Sequence, residues 1–239
     1  MRISSYSNCL IPRLVNLLYP SECPLCGKAP DTFFTAPFCS DCWAGIEQYT
    51  GPACRRCATP IISEDALLCA ECMKNPPAFA AVKSFGLFEG TLATAIHLFK
   101  FQRLRRLHRP LGELLFCFDL SGTDAIIPVP LTISGLRERG FNQSLLIAKA
   151  VSFRAKIPLI MDGLVKRTDT VPQIGLSRNE RKANLKGAFS AERRFAGMKL
   201  LLTDDVMTTG STANECSKEL LKAGASEVTV LTLARANYL

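Results

Sequence analysis

MKLLLTDDVMTTGSTANECSKEL, residues 198–220, decides the fold: an apolar run is followed by two adjacent carboxylates, a loop of small hydroxyl residues and a helical pattern. The run at residues 200–202 is short enough to be a buried parallel strand. The sequence therefore predicts a strand, loop and helix, with the loop spanning residues 204–212.

The predicted loop suits a phosphate group. Gly210 tolerates backbone angles that let several N–H groups converge, and the positive end of the following helix points to the same place. Further donors come from four hydroxyl side chains, Thr208, Thr209, Ser211 and Thr212. Thr212 and Glu215 also have the spacing of a capping box, which predicts that the helix begins there.

Asp204 and Asp205 precede this loop, where their charge would oppose a phosphate unless they had another target. A vicinal ribose diol, or a magnesium ion held to it, is such a target. The loop would then bind a sugar 5-phosphate, with both carboxylates at a solvent-facing cleft. No Gly-Lys-Ser/Thr sequence is present, which excludes the ATP-binding P-loop. The alternative is an ordinary strand-to-helix connection.

Four Cys-x-x-Cys pairs lie within the first 72 residues, separated by 12, 11 and 11 residues. Each pair can direct two thiolates to one tetrahedral ion, and this spacing predicts two structural zinc ions. The simplest assignment joins consecutive pairs, and the sequence leaves an interleaved pairing open. The expected ligands are Cys23, Cys26, Cys39, Cys42, Cys54, Cys57, Cys69 and Cys72. Arg55 and Arg56 either contact a partner or are solvated.

Composition and charge point to a globular protein with a basic carboxyl-terminal part. Apolar residues make up 48% of the 239 residues, and no uncharged apolar run approaches the length of a membrane span. The net charge of the chain is +8: residues 81–239 carry a net charge of +9, and residues 1–80 carry −1. This surplus fits an anionic ligand and also fits nucleic acid. The paired prolines at residues 76 and 77 predict two domains, 1–76 and 77–239.

Strand and helix patterns alternate after the prolines, which predicts an α/β protein with a parallel sheet. AIIPVP, residues 125–130, is predicted as the first core strand, and Arg137 and Arg139 lie in the loop beyond it. Residues 164–189 are predicted to form a mobile flap that meets negative charge through Lys166, Arg167, Arg178, Arg181 and Lys182. A further basic cluster spans residues 100–109 and either contacts phosphates or forms a solvated face.

DDVMTTGST resembles the phosphoribosyl pyrophosphate motif of type I phosphoribosyltransferases. CPLCG, PVPL followed by RGFNQ, the VKR...PQ..LS...R..N pattern and DDVMTTGST also occur in the order typical of the bacterial ComF family. This resemblance covers residues from about 14 to 234. It implies a type I phosphoribosyltransferase-like parallel sheet flanked by helices, preceded by a small double zinc ribbon with four cysteines to each ion. It also implies a cytoplasmic protein linked to DNA uptake and to the handling of single-stranded DNA, with DNA-uptake or recombination proteins as partners.

Three functions from different classes stay open. An enzyme would displace pyrophosphate from the ribosyl carbon, with magnesium and the cations of Arg137, Arg139 and Arg181 stabilising the leaving group. Asp204 and Asp205 would then hold the ribose, and residues 208–212 its 5-phosphate. A sensor would use the same pocket without transfer. A DNA-binding protein would use the basic surface.

Overall fold

The computed structural model describes residues 22–63, 65–168, 185 and 187–236. The chain divides into two compact units, residues 1–47 and 48–239. This division falls between the first two and the last two Cys-x-x-Cys pairs. The third and fourth Cys-x-x-Cys pairs therefore belong to the same compact unit as the sheet. The domain boundary at residue 76 stays a prediction.

The same local structure occurs in both cysteine-rich segments. Helix α1 (Ser40–Ala44) begins after Cys39, and helix α2 (Ala70–Lys74) begins after Cys69, so each helix has a cysteine at its N-cap. The Cys23 and Cys54 turns also match, because the carbonyl of each accepts a hydrogen bond from the amide four residues later. The internal repeat in the sequence is therefore a structural repeat.

The second unit contains a parallel four-stranded sheet in the order β1-β6-β5-β2 and a separate antiparallel pair, β3 and β4. The strands are β1 (Ala81–Leu87), β2 (Ala125–Pro128), β3 (Leu164–Lys166), β4 (Phe189–Ala191), β5 (Lys199–Met207) and β6 (Glu227–Arg235). The two central strands, β5 and β6, are mostly buried, as expected for a parallel sheet covered on both faces. The predicted α/β class with a parallel sheet is confirmed.

Within the described ranges, five α-helices with given bounds accompany the strands of the second unit, in addition to α2. They are α3 (Gly90–Phe101), α4 (His108–Leu114), α5 (Ile133–Arg139), α6 (Gln143–Ala155) and α7 (Ser211–Lys222). The side chain of Thr132 caps α5 and that of Asn142 caps α6, each by accepting a hydrogen bond from the amide three residues later. Helix α5 interrupts the segment that the sequence pattern predicts as a loop.

The segment predicted as a flap has ordered ends. β3 pairs with β4 in antiparallel register, with Lys166 opposite Phe189, so the ends of residues 164–189 are strands rather than loop. Arg167 donates to Ser190 Oγ at 2.7 Å and pairs with Glu192 at 2.8 Å. Arg178, Arg181 and Lys182 lie outside the described residues.

Across the described ranges, no helix combines the length and apolar character needed to cross a membrane.

Candidate functional site

Asp204 and Asp205 lie inside strand β5, which continues to Met207. The prediction that the strand ends before the carboxylates was wrong. Asp204 is in register with Thr232 of β6, whose hydroxyl donates to the Asp205 carbonyl at 2.9 Å. This pairing fixes both carboxylates on a rigid element at the carboxyl end of the parallel sheet, where ligands bind in such folds.

Asp205 is buried, which corrects the expectation that both carboxylates face solvent. Asp205 is only 5% exposed, and its Oδ2 atom lies 2.8 Å from Lys100 Nζ. Burial alone opposes the charge, but the ammonium group of Lys100 and the Val206 amide hold the pKa of Asp205 below its ordinary value. Asp205 is therefore a carboxylate whose charge is already balanced within the protein.

Asp204 has a different environment. Its Oδ1 atom accepts hydrogen bonds from Ser144 Oγ and from the Asp205 amide, each at 2.9 Å. Burial and the neighbouring Asp205 carboxylate raise the pKa of Asp204 to about 7, against the opposing effect of Lys100. Among the described residues no ion pair involves Asp204, and Asp204 is less buried than Asp205.

The loop that the sequence predicts to bind phosphate, residues 208–212, follows β5 directly. Gly210 has a φ of +79°, a backbone conformation that side-chain-bearing residues rarely adopt, so the conformation favours glycine at this position. Thr209 Oγ1 lies 2.9 Å from Ser211 Oγ and accepts from the Ser211 amide. The structure thus brings Asp204, Asp205 and residues 208–212 together on one strand, loop and helix.

Helix α7 begins at Ser211, and its N-cap residue is Gly210, which has no side chain. Thr212 therefore lies inside the helix, and the prediction that a capping box of Thr212 and Glu215 begins the helix was wrong. Glu215 instead pairs with Lys218 at 2.6 Å. A helix N-terminus presents amide groups and the positive end of the helix dipole, which is the arrangement that anion sites use.

Arg137 and Arg139 lie in the last turn of α5. Arg137 is exposed, whereas Arg139 is half-buried and its charge lowers the pKa of Asp205, after the larger effects of burial and Lys100. Arg139 is therefore near enough to the carboxylates to act electrostatically on the site. The third arginine expected to contact the leaving group, Arg181, lies outside the described residues.

The RGFNQ motif holds the helices around the site in place. Asn142 donates to the Val129 carbonyl, and Gln143 donates to the Lys100 carbonyl at 3.4 Å. Phe141 packs against Phe99, with ring centroids 5.3 Å apart. The motif thus joins the end of α3, which carries Lys100, to the start of α6, which carries Ser144.

Two arginines of the basic cluster are used inside the fold. Arg103 donates to the Glu138 carbonyl and Arg105 to the Gly140 carbonyl, each at 2.6 Å. These guanidinium groups satisfy carbonyls at the end of α5. Lys100 of the same cluster is paired to Asp205, so three cations of the cluster contact the rest of the fold, although Arg103 and Arg105 stay exposed to solvent.

The eight paired cysteines form two groups, each with all four sulfur atoms within 4.8 Å of one another. The groups are Cys23, Cys26, Cys39 and Cys42 in the first unit, and Cys54, Cys57, Cys69 and Cys72 in the second. Cys26 and Cys39 have sulfurs 3.6 Å apart, and those of Cys57 and Cys69 are 3.7 Å apart. Four thiolates at about 2.3 Å from one zinc ion would stand about 3.8 Å apart, so the donor set fits tetrahedral zinc.

Two arginines beside the second cysteine group were missed by the sequence analysis. Arg235, the last residue of β6, is 4% exposed and donates to the Met207 and Cys57 carbonyls. Arg56, expected to be solvated or to contact a partner, donates to the Pro77 and Phe79 carbonyls. The sequence feature that could have indicated a buried role for Arg235 is its position at the end of an apolar strand.

Similar proteins are known both for nearly the whole chain and for its cysteine-rich part. A family model described as a double zinc ribbon domain matches residues 14–73. Competence protein F of Haemophilus influenzae is 37% identical over 210 residues, 83% of this chain and 90% of that protein. DNA utilization protein YhgH of Salmonella typhimurium is 31% identical over 227 residues, 92% and 99% of the two chains. The solved glutamine phosphoribosylpyrophosphate amidotransferase of B. subtilis matches with 23% identity and a TM-score of 0.41, over 58% of this chain and 30% of that one.

The fold and site define an α/β protein with a parallel sheet, a carboxylate pair beside a glycine loop, and a double zinc ribbon with two four-cysteine zinc-binding sites. The relatives extend over nearly the whole chain. The chain belongs to the competence protein F family, as its motif order indicates.

Proposed function

We propose that the protein binds phosphoribosyl pyrophosphate, or a related ribose 5-phosphate, at the carboxyl end of β5. The observation that carries this proposal is the placement of Asp204 on the strand that leads, through residues 208–210, into the N-terminus of helix α7. A sugar phosphate site needs two kinds of group. A carboxylate accepts hydrogen bonds from the sugar hydroxyls, and backbone amides donate hydrogen bonds to the phosphate oxygens.

Each group of the ligand has a partner in this proposal. Residues 208–212 bind the 5-phosphate through amides and hydroxyls, and Asp204 accepts from the ribose diol. Asp205 contributes through its backbone position, since its side chain is held by Lys100. Arg139 supplies positive charge beside the carboxylates, where a pyrophosphate group would lie, and we extend this role to Arg137 and Arg181.

Magnesium fits the site as part of a ligand complex. Protein-bound magnesium takes one or two carboxylates together with substrate phosphates, and here Asp205 is engaged by Lys100 while Asp204 already accepts from Ser144. The ion would therefore be held mainly by the ligand's own pyrophosphate and hydroxyl oxygens. When bound, it supplies charge neutralisation to the pyrophosphate.

The reaction that such a site supports is displacement of pyrophosphate from the anomeric carbon by an acceptor nucleophile. The protein's part is to hold the ribose and phosphate in place and to stabilise charge on the leaving group. A sensor would make the same contacts without releasing pyrophosphate. Measuring pyrophosphate release with candidate acceptors separates the two, whereas the binding contacts are common to both.

Substitution of Asp204 tests the binding proposal directly. Asp204→Asn should weaken phosphoribosyl pyrophosphate binding measured by calorimetry by at least about tenfold, because a charge-assisted hydrogen bond contributes roughly 1.5–3 kcal/mol. Asp162→Asn is the matched control, since Asp162 is exposed and pairs with Arg193 at the surface. Unchanged affinity in folded Asp204→Asn protein would refute the assignment.

A second proposed function is electrostatic binding of single-stranded DNA. Relatives are named for competence and DNA utilization, and residues 81–239 carry a net charge of +9. Binding should weaken steeply with salt and show little sequence preference. Salt-insensitive or strongly sequence-selective binding would contradict this. We place the protein in the cytoplasm, where thiol pairs stay reduced and available to zinc, with DNA-uptake or recombination proteins as partners.

A further inference from the structure

We propose that Arg235 is a positioning residue that joins the second zinc site to the phosphate loop, so that zinc in the second site orders the loop. The second zinc site is the Cys54, Cys57, Cys69 and Cys72 group, and the phosphate loop is residues 208–212. The ordering of the phosphate loop by zinc does not depend on the proposed function, whereas its effect on phosphoribosyl pyrophosphate binding rests on that function.

Arg235 contacts both elements at once. Its Nε donates to the Cys57 carbonyl at 3.0 Å and its Nη2 to Thr59 Oγ1 at 2.8 Å, both on the turn that carries two zinc ligands. Its Nη1 donates to the Met207 carbonyl at 2.8 Å, directly before the phosphate loop. One buried guanidinium group therefore connects the zinc-binding turn to the last residue of β5.

A second set of contacts joins the same two elements. Arg56, between the ligands Cys54 and Cys57, donates to the carbonyls of Pro77 and Phe79. The intervening Ala78 amide donates to Asn214 Oδ1, in the first turn of α7, at 2.8 Å. The segment at residues 77–79 thus lies between the zinc-binding turn and the helix that follows the phosphate loop.

Burial makes the Arg235 contact depend on a folded zinc site. A buried guanidinium group is stable only while its hydrogen-bond partners are present. Two of its three acceptors, Cys57 and Thr59, belong to a turn whose shape zinc coordination fixes. A zinc ion with four thiolate ligands also carries a net charge of about −2, which complements the arginine. Without zinc, Arg235 loses these acceptors, and the Met207 carbonyl loses a fixed donor.

Hydrogen exchange measures the proposed loop order without any ligand. The test compares full-length Cys69→Ser, which should lose the second zinc ion, with Cys26→Ser, which should lose the first. Exchange at the amides of residues 208–212 should be faster by about tenfold in Cys69→Ser, as expected for loss of a charged hydrogen bond. It should be unchanged in Cys26→Ser, because that ligand belongs to the other compact unit. Equal exchange in both variants would overturn the proposal.

Thr59→Val provides a second variant that keeps all eight paired cysteines and removes one Arg235 contact, together with the contact between the Thr59 hydroxyl and Cys57 Sγ. It should retain two zinc ions and still show faster exchange in the phosphate loop. Arg235→Lys, which retains the charge but not the three-bond geometry, should behave in the same way. Unchanged exchange in both variants would show that Arg235 carries no coupling.

Linkage gives the ligand-dependent test. If zinc in the second site strengthens phosphoribosyl pyrophosphate binding by some factor, the ligand must strengthen zinc binding by the same factor. Chelator titration should therefore show that the ligand protects one of the two zinc ions, and that Arg235→Lys removes this protection. Calorimetry that detects no ligand binding to the wild type would refute the proposed function and leave the exchange result as the test of loop order. Ligand binding that protects neither ion would overturn the coupling alone.

Discussion

The ammonium group of Lys100 lies 2.8 Å from the carboxylate of Asp205, joining the last turn of α3 to the strand that carries the site. The two side chains are 21% and 7% exposed. Two adjacent acidic residues therefore have different environments. Asp205 is neutralised inside the protein, and Asp204, with a pKa of about 7, is the carboxylate that we propose for ligand binding.

Removing Lys100 should destabilise the protein strongly. Lys100→Met leaves the Asp205 carboxylate buried without its cation, and breaking a buried pair from one side costs about 3–5 kcal/mol. The free energy of unfolding from urea titration at pH 7 measures this loss. The double variant Lys100→Met with Asp205→Asn should recover much of it, because no buried charge is then left unpaired.

The matched control is Lys222→Met, which breaks an ion pair with Glu219 whose lysine is 70% exposed. An exposed pair contributes about 0–1 kcal/mol, so this variant should unfold almost like the wild type. Equal effects of the two lysine substitutions would contradict the role given to Lys100.

The local pattern around residues 198–220 was sufficient to predict the strand, the glycine loop and the helix. It could not predict that Asp205 is buried, because its partner Lys100 is remote in the sequence and reaches it only through the packing of α3. The length of β5 was underestimated for a related reason: pairing with β6 keeps Asp204 and Asp205 in the sheet despite their low strand propensity.

Cysteine spacing predicted the zinc ligands because a Cys-x-x-Cys turn is a local structure. Which pairs combine is a tertiary property, and the structure groups consecutive pairs. The arginines are the harder case. Lone cations in a sequence look solvated, yet Arg56, Arg103 and Arg235 bind backbone carbonyls that only the folded chain brings within reach.

Asp204 should make stability depend on pH in a predictable direction. Its pKa rises from 3.8 to about 7 on folding, so between these values the folded chain keeps a proton that the unfolded chain has released. The contribution of this group to stability therefore falls as pH rises through this window. The stability of Asp204→Asn relative to the wild type should therefore rise by roughly 2–3 kcal/mol between pH 5 and pH 8, measured by urea titration at each pH.

Asp162→Asn is again the control for this measurement. The hydrogen bond from Arg193 lowers the pKa of Asp162, so its stabilising contribution is present above its ordinary pKa and is lost only in acid. Its substitution should bring no gain at pH 8. A similar pH profile for both variants would count against the environment described for Asp204.

Zinc content should be two ions per chain. Elemental analysis of protein purified without chelator measures this, and Cys26→Ser and Cys69→Ser should each retain about one ion. Chelation should release the metal only with loss of the cysteine-rich structure, because zinc binding contributes directly to the folding of such small sites. A stoichiometry of one or zero in the wild type would contradict the two-site assignment.

Thr208 should bind phosphate rather than transfer protons. Purine-salvage phosphoribosyltransferases carry an aspartate two residues before the loop glycine, and a threonine hydroxyl cannot act as a base near neutral pH. We therefore expect no appreciable transfer to hypoxanthine or guanine, and about tenfold weaker ligand binding in Thr208→Ala. Strong activity on either purine, with a pH profile that this variant loses, would show that Thr208 has a catalytic role.

Calorimetric titration of wild-type protein with phosphoribosyl pyrophosphate, with and without magnesium, tests the central claim most directly. The account predicts saturable binding of one ligand per chain, tighter with magnesium, and weaker binding of ribose 5-phosphate, which lacks the pyrophosphate group. Absence of saturable binding in zinc-replete protein with magnesium present would contradict it.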